Sequence, residues 1–547
     1  MSAVLVSSAS RRLLLGRSRA HAVIARQNGL RLASLRAVAS RGLYASLLEP
    51  VGSPGGGSRQ RERRRRVEAG GRREQKGSGH ECGSSFEAAR GINERIGRAA
   101  DTAELLSVYA AYSAKYDMVH LCLTWRQLGR LSLHGREHRQ LLSDWDARVV
   151  ALREQTLHFV GKGCGKWALA TIACALSRLG LRAGSWDLLW DAIEATAVSE
   201  VSDLAHVPQN AALVAEAFAR TRGPSPALFE AIAQATHSQL AKYKPRDLAS
   251  LAWSFARSGN ESSRFFEALA YEATRRVTAF DAREWAQLCW AYARIGHPAP
   301  GLFQTIAPLA AVRLDEMGPE QIAALAWAYA KTRQAPPQLL DAVAKEASSR
   351  LLEFNAHALT NLAWAFATAG HESPAFLERI AAELAPITWQ MSSHGLAMAS
   401  WSFTKARHRS PFLYDSLASE AAWRLDEFSP QGLAMISFAF VAAQSRAAPA
   451  LLDSIAVVAL AKLCDFNAQD LAITAWAMAN NGGPTHDIVG PIAAEAAPRL
   501  REFTPQGLSM LAWAHQRVGS PCAELTVSLD LEAKRRFSFN DELPGPL

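Results

Sequence analysis

The chain carries an apolar pattern that recurs about every 37 residues through its C-terminal part. One aromatic residue marks each recurrence, and we number the positions of each repeat from it, as position 0. The marker residues are Trp253, Trp290, Trp327, Trp364, Trp401, Phe438, Trp476 and Trp513, with one spacing of 38 residues between Phe438 and Trp476. A period of 20–50 residues is typical of stacked supersecondary units that cannot bury their apolar faces alone. The pattern therefore predicts a solenoid.

Each repeat contains the start and stop signals of a helix of about 14 residues, here called helix A. Position −9 mostly holds residues whose side chains cap helix starts, and position −8 is often proline, which fits the first helical position. Position +6 is often glycine, a good helix-ending residue. The prolines are Pro245, Pro319, Pro430 and Pro505, and the glycines are Gly259, Gly296, Gly370, Gly482 and Gly519.

A second apolar segment, helix B, follows each helix A after a short turn. It often closes on an aromatic residue, namely Phe280, Phe354, Phe428, Phe466 or Phe503. Two helices within 37 residues form an antiparallel hairpin. We predict an all-α fold, a right-handed α-solenoid of about nine helical hairpin repeats over 207–541, with degenerate helical repeats over 92–206.

The positions of helix A sort onto two arcs of a helical wheel. Positions −5, −2 and +2 are large and apolar, and positions −4 and +3 are mostly alanine, so this arc is expected to form the core. Positions −7, −3, 0 and +4 lie on a different arc that combines polar, variable, aromatic and basic residues. The candidate RNA-binding residues on it are Arg246, Arg283, His357, His394, Gln431, Gln469 and Gln506 at −7, Gln287 and Asn361 at −3, and Arg220, Arg257, Arg294, Lys331, Lys405 and Arg517 at +4.

A repeated cation, aromatic and polar side chain on one face is what single-stranded RNA recognition uses. The basic column would contact phosphates, and positions −7 and −3 would face bases. Each of these columns also has a structural interpretation that involves no RNA. A cation near a helix C-terminus offsets the helix dipole, a tryptophan beside an alanine column can pack on the next repeat, and the −7 and −3 columns can be a plain solvated face.

The net charge of +9 is unevenly distributed. Residues 1–100 hold 20 Lys and Arg against 7 Asp and Glu, a net of +13, which leaves 40 against 44, a net of −4, for the remainder. The solenoid is therefore not basic as a whole, and RNA binding would need its cations concentrated on one face. This balance keeps a protein-binding scaffold open as an alternative.

The N-terminal segment has the composition of an organelle transit peptide. Residues 1–48 contain eight Arg, no Lys and no acidic residue, with frequent Ser and Ala. We expect a mitochondrial matrix protein, with a plastid as the alternative. Residues 49–91 are expected to be a disordered basic linker rich in Gly and Arg, and 542–547 a short tail. No segment reaches the roughly 18 apolar residues of a membrane span.

The sequence offers no catalytic or metal-binding motif. Residues 161–167, GKGCGKW, are one residue short of a phosphate-binding loop and carry Trp167 where Ser or Thr should stand. The seven cysteines form no CxxC pair. We expect no enzymatic activity, no cofactor, no metal and no small-molecule substrate.

The repeat consensus resembles that of the octotricopeptide and heptatricopeptide repeat proteins. Residues 322–332 (IAALAWAYAKT), 359–370 (LTNLAWAFATAG) and 508–519 (LSMLAWAHQRVG) carry the resemblance most clearly. The architecture is also similar to the FAST-kinase-domain family and to a helical subunit of the kinetoplastid RNA-editing substrate-binding complex. Many such relatives end in a RAP domain, a small nuclease-like module. The residues after the last repeat here are too few for one, so we expect no intrinsic nuclease.

The resemblance implies a non-catalytic protein that binds single-stranded organellar RNA, mRNA or rRNA. It would act in RNA processing, stability, editing or maturation, with other RNA-processing proteins as possible partners. The alternative is a protein-binding α-solenoid scaffold in an organellar ribonucleoprotein or ribosome-assembly complex.

Overall fold

The computed structural model describes residues 79–537 apart from 132–145, 183, 222, 224, 482–486 and 520–522. The predicted transit peptide, the tail and residues 49–78 of the predicted linker lie outside the described residues. The helix Gly79–Arg98 begins inside the segment predicted to be a disordered linker. From residue 86 onward this stretch is rich in Ala, Glu and Arg, which favour helix.

The described residues form α-helices and short 3₁₀ turns without any strand, which confirms the all-α prediction. Five helices are counted neither as helices A nor as helices B: Gly79–Arg98, Thr102–Tyr112, Met118–Leu131, Ala147–Gly161 and Val201–Ala205. The helices A are Lys166–Leu179, Pro208–Thr221, Pro245–Ser258, Ala282–Ile295, Pro319–Lys331, Ala356–Ala369, Ser393–Lys405, Pro430–Ala442, Ala468–Asn481 and Pro505–Val518. The helices B are Asp187–Ser199, Pro226–Thr236, Ser263–Arg275, Pro300–Ala311, Pro337–Ser349, Pro374–Leu384, Pro411–Trp423, Ala448–Ala461, Val489–Ala496 and Ala523–Phe537.

Each helix A packs against helix A of the next repeat, and Met118–Leu131 packs against the first helix A, Lys166–Leu179. Neighbouring repeats thus stack in series, as an α-solenoid requires. The row of helices A includes a degenerate copy before residue 207, with Cys174 at the marker position, and the first of the nine repeats, with Glu216 at that position. The handedness of the solenoid and the domain boundaries remain predictions.

The helices A begin where the capping pattern predicts. Side-chain oxygens at position −9 accept backbone N–H groups two to three residues on, as at Asp281, Asn355, Ser392, Ser429 and Thr504. At Asp281 the bond is reciprocal, because the Glu284 side chain accepts the Asp281 N–H. The caps fix where each helix A starts, and with it the rotation of its faces.

The helices A end at a left-handed residue at position +6. Gly259, Gly296, Gly370 and Gly519 have φ between 65° and 79°. Three repeats reach the same conformation without glycine, because Arg333, Arg407 and Gln444 at this position have φ of 57°, 54° and 54°. The next N–H then bonds back to the buried aromatic at position +2, as from Gln334 to the Tyr329 carbonyl at 3.0 Å. The backbone turn is therefore the same whether or not the residue is glycine.

The core follows the predicted arc of helix A. The aromatic side chains at position +2 are fully buried, including Phe255, Tyr292 and Tyr329. The Tyr292 hydroxyl donates to the Phe266 carbonyl at 2.8 Å and the Tyr329 hydroxyl donates to the Phe303 carbonyl at 2.7 Å. Each bond reaches helix B of the preceding repeat, so the core side chains also join repeats to one another.

A basic residue near the end of helix B connects several repeats to the one before. Arg350 donates to the carbonyls of Leu314 and Met317 at 3.1 and 2.6 Å and pairs with Glu346 at 3.0 Å. The same bonds to a preceding 3₁₀ turn or its end recur at other repeats: Arg276 to Leu240 and Tyr243, Arg424 to Met391, and Lys462 to Asp426 and Phe428. We call these contacts the arginine staples. They satisfy carbonyls that a 3₁₀ turn leaves free.

Removing a staple is expected to weaken the stack. Arg350→Met keeps an apolar stem but leaves two carbonyls and Glu346 without their partner, so the free energy of unfolding should fall by about 2 kcal/mol. Arg264→Met, an exposed position on another helix B, serves as the control and should change little. Urea unfolding of both variants measures the difference. Equal stability of the two variants would contradict the role of the staple.

The left-handed position gives a second stability prediction. Gly259→Ala should lower the free energy of unfolding by about 1 kcal/mol, because an added Cβ meets backbone strain although no atom lies within 4 Å of it. Arg333→Gly should raise it by about 0.5 kcal/mol, since relief of strain exceeds the entropy lost. Gly301→Ala, inside a helix B, makes the same chemical change and should stabilise instead. A matching sign for both Gly→Ala variants in thermal unfolding would refute this explanation.

Candidate nucleic-acid interface

The structure brings the predicted site residues onto one surface. We call it the ladder face, formed by positions −7, −3, 0 and +4 of the helices A from Lys166–Leu179 to Pro505–Val518. Because consecutive helices A lie side by side, each of these positions forms a row across the stack. The residues at −7 from Arg246 to Gln506 are all exposed, while those at 0 apart from the exposed Trp513, and most of those at −3, are half-buried.

The marker aromatics form the middle of the ladder face. Their rings contact the rings of neighbouring repeats, with centroids 6.3 Å apart for Trp253 and Trp290 and 6.0 Å apart for Trp327 and Trp364. Phe438 and Trp476 are 5.3 Å apart. These rings are half-buried rather than fully buried, so the tryptophan row both packs between repeats and contributes to the surface.

The basic residues at position +4 lie over these rings. Lys331 is 4.8 Å from the Trp327 centroid and Lys405 is 4.6 Å from that of Trp401. Arg517 is 5.2 Å from the Trp513 centroid. A cation placed over an aromatic ring at an exposed site contributes about 0.5–1 kcal/mol. The i,i+4 spacing on one helix thus positions each cation while its charged end stays at the surface.

Trp253 is contacted by two cations. Arg220 of the preceding repeat and Arg257 of its own repeat lie 4.9 and 5.5 Å from its centroid. Arg257 Nε also donates to the Ala219 carbonyl at 3.2 Å, which lies in the last turn of the preceding helix A. Arg517 Nε makes the equivalent bond to the Ala479 carbonyl at 3.0 Å. The helix-capping interpretation of this column is therefore supported for these two arginines.

Several +4 cations have no acidic partner. Within the described part of the chain, Arg257, Arg294, Lys331, Lys405 and Arg517 form no salt bridge. Arg220 differs, since it pairs with Glu216 at 2.8 Å. Burial and, to a lesser extent, the neighbouring Arg294 lower the pKa of Lys331 from its usual value. Positive charges in adjacent repeats thus lie within electrostatic reach of one another, an arrangement that favours an anion.

The polar residues at −7 and −3 differ in how far they are already engaged. His357 and Asn361 are hydrogen-bonded to each other at 3.1 Å. Gln287 is half-buried. The remaining predicted −7 residues are exposed and make no side-chain hydrogen bond among the described residues: Arg246, Arg283, His394, Gln431, Gln469 and Gln506. They are free to meet a ligand.

One acidic residue on the ladder face was missed as part of the site. Glu216 stands at position 0 in place of an aromatic, pairs with Arg220 and accepts a bond from Ser250 at 2.9 Å. Counting 37 residues back from Trp253 places Glu216 at position 0, and this spacing was the signal in the sequence that identifies it as part of the face. Glu216 neutralises the cation of its own repeat, so the first strongly basic repeat is the one marked by Trp253.

Two other kinds of site are not found among the described residues. No group of three or more His, Cys, Asp or Glu side chains there is arranged to hold a metal ion. None of the helices among them is both long and apolar enough to cross a membrane.

Residues 191–357 and 309–535 match the family model described as RNA-editing substrate-binding complex 6 protein. The two overlapping matches include every marker aromatic. No curated protein sequence matches the chain. Among solved structures, a chain described as a homology model of the full-length AP-3 complex in an intermediate open conformation aligns with 84% of this chain and 91% of its own length. It has 11% sequence identity and a TM-score of 0.23, which supports no further argument.

The electrostatic proximity of the ladder cations can be tested at Lys331. Arg294→Gln should raise the Lys331 pKa, because it removes a neighbouring positive charge, yet leave it below the usual value, because burial remains the larger cause. An NMR titration of side-chain-labelled lysine measures this shift. Arg264→Gln, the same change on a helix B, should leave the Lys331 pKa unaltered. A pKa that does not respond to Arg294→Gln would show that the two cations are not coupled.

Proposed function

This chain belongs to the RNA-editing substrate-binding complex 6 protein family, and from that premise we propose that it binds single-stranded organellar RNA. It would act without chemistry of its own in RNA editing, processing, stability or maturation. The RNA would be mRNA or rRNA. Other proteins of an RNA-editing complex are the natural partners, because the family is described by such a complex.

The observation that carries the proposal is the row of exposed cations over the aromatic ladder. Arg257, Arg294 and Lys331 occupy the same position in three consecutive repeats and have no carboxylate partner among the described residues. Phosphate groups spaced along a nucleic acid chain suit such a row, since each can pair with one cation. Hydrogen-bonding side chains at −7 run parallel to it and would face the bases.

The mechanism is binding along the stack. Successive repeats present equivalent positions, so an extended strand can make equivalent contacts at each one. By analogy with proteins that read one base per helical repeat, about nine repeats would cover on the order of nine nucleotides. Reading one base per repeat is the part of the proposal that follows from the resemblance to octotricopeptide repeat proteins. Bound RNA would be held for, or protected from, other factors.

We place the protein in the mitochondrial matrix, with a plastid as the alternative. The N-terminal composition of residues 1–48 and the RNA-editing description of the family support this location. We also propose that the chain is not an enzyme and needs no cofactor, since its sequence carries no catalytic motif.

A second function, a protein-binding scaffold, is favoured by a different surface. Large apolar side chains are exposed on and after the helices B, with Leu352 86%, Trp389 63% and Trp423 74% exposed. Exposed apolar groups of this size are typical of protein interaction sites. Such a surface is compatible with RNA binding by the ladder face, and the test below separates the two.

The RNA-binding proposal predicts a specific salt dependence. The full-length triple variant Arg257→Gln/Arg294→Gln/Lys331→Gln should bind single-stranded RNA more weakly. The slope of log affinity against log salt should fall by about 2, because three phosphate contacts contribute roughly 0.7 each. Fluorescence anisotropy with a labelled 20-nucleotide RNA over a salt series measures both quantities.

The control is a triple variant with the same charge change on other elements, Arg264→Gln/Lys345→Gln/Arg501→Gln. These residues are exposed and unpaired among the described residues, so the control should retain the wild-type slope. An equal loss in both variants would point to a nonspecific charge effect. Lack of RNA binding by the wild-type chain at low salt would leave the scaffold function.

A further inference from the structure

The ladder face changes character along the chain. Up to Lys331 its exposed residues at −7 and +4 are mainly cations: Arg178, Arg220, Arg246, Arg257, Arg283, Arg294 and Lys331, with Glu320 as the acidic exception. In the four repeats marked by Trp401, Phe438, Trp476 and Trp513, position −7 instead carries His394, Gln431, Gln469 and Gln506. The +4 position of those four repeats keeps only Lys405 and Arg517 as cations.

These four repeats also share a pairing that the repeats marked by Trp253, Trp290, Trp327 and Trp364 lack, whereas Gln209 and Leu213 form it in the repeat marked by Glu216. Each polar residue at −7 stands one helical turn before a large apolar residue at −3, on the same side of the helix. The pairs are His394 with Met398, Gln431 with Met435, Gln469 with Ile473, and Gln506 with Met510. In the repeats marked by Trp253, Trp290, Trp327 and Trp364 the equivalent pairs are Arg246 with Ser250, Arg283 with Gln287, Glu320 with Ala324, and His357 with Asn361. The polar member is exposed and the apolar member is half-buried.

Such a pair suits a nucleobase. A base presents a flat apolar face together with donors and acceptors on its edge, and an amide side chain offers both a donor and an acceptor. Methionine is flexible and polarisable, so it adapts to the face or edge of a ring. The three glutamines make no side-chain hydrogen bond among the described residues, so their amides are free to read a base edge.

The tryptophan rings are poorly placed to stack on bases. The half-buried Trp253 ring is contacted by Arg220, by Arg257 and by the Trp290 ring. Lys331 and Trp364 similarly approach Trp327. In the basic repeats the aromatic ladder therefore supports cations, and the cations rather than the rings meet the ligand.

We propose that the ladder face separates affinity from selectivity along the chain. The repeats up to Lys331 hold the phosphates of the RNA and supply most of the binding free energy. The four repeats marked by Trp401, Phe438, Trp476 and Trp513 select the sequence, at about four nucleotides if each repeat reads one. The inference rests on the proposed RNA-binding function and deepens it.

The test compares two full-length triple variants. One is the basic variant Arg257→Gln/Arg294→Gln/Lys331→Gln, and the other is the amide variant Gln431→Ala/Gln469→Ala/Gln506→Ala. A 20-nucleotide oligouridine reports on affinity for an unselected strand. Selection from a random 20-nucleotide RNA pool with the wild-type protein provides the preferred RNA, and a scrambled copy of it provides the comparison.

We expect opposite effects. The basic variant should bind all three RNAs about tenfold or more weakly near 0.1 M salt and keep the wild-type ratio between preferred and scrambled RNA. The amide variant should bind oligouridine within about twofold of wild type, with an unchanged salt slope, and lose about tenfold or more of that ratio. The control Gln338→Ala/Gln390→Ala/Gln516→Ala, at exposed glutamines off the ladder face, should behave like wild type.

The outcomes distinguish a failure of the proposed separation from a failure of RNA binding itself. RNA binding by the wild type, combined with an amide variant that keeps its preference, overturns the separation and leaves the proposed function standing. The same holds if the basic variant loses preference and the amide variant loses salt dependence. A wild-type chain that enriches no RNA motif, yet binds with the predicted salt slope, also overturns the separation. A wild-type chain that binds no RNA overturns the proposed function itself.

Discussion

The close packing of each helix A on the next helix A is the contact on which the rest of the structure depends. It is made possible by alanine at positions −4 and +3, as at Ala249, Ala286 and Ala323, where larger side chains would push the helices apart. These alanines are almost completely buried. Close-packed interiors tolerate extra volume poorly, so these columns set the distance between repeats. That distance in turn brings the ring of one marker residue onto the ring of the next, and the ladder face exists because of it.

The same packing explains why the ladder cations are well placed without acidic partners. Arg257, Lys331, Lys405 and Arg517 each lie over a ring on their own helix. Arg257 and Arg517 also donate to a carbonyl of the preceding helix A. These contacts restrict the side chains but leave the positive charge unneutralised. A cation oriented in this way loses less conformational entropy when it binds an anion than a freely rotating one would. Structural and ligand-binding interpretations of this column are therefore not exclusive.

Much of the fold could be predicted from the sequence because its signals are local. N-caps, prolines at the first helical position and glycines at +6 act within a few residues, and the helices A begin and end where these signals stand. The turn at Arg333, Arg407 and Gln444 could not be predicted in this way, since none of these residue types signals a left-handed conformation. The staple between Arg350 and the carbonyls of Leu314 and Met317 could not be predicted from the sequence either. It joins residues more than thirty positions apart, and the sequence shows only that Glu and Arg recur near the end of helix B in several repeats.

Ion pairs at the staple positions also explain how a region of net negative charge can carry a basic surface. Residues 101–547 carry a net charge of −4, which at first argues against a nucleic-acid partner. Many of the acidic side chains, however, lie at the ends of the helices B, where Glu346, Glu420 and Glu495 pair with staple-position arginines. Their charge is balanced there, on the opposite helix of each hairpin from the ladder face. Attraction of a ligand depends on the local potential of the surface it meets rather than on net charge. A stack that pairs many of its carboxylates on one helix of each hairpin can leave a mainly basic row on the other, and the ladder face from Arg246 to Lys331, with Glu320 as an acidic member, is such a row.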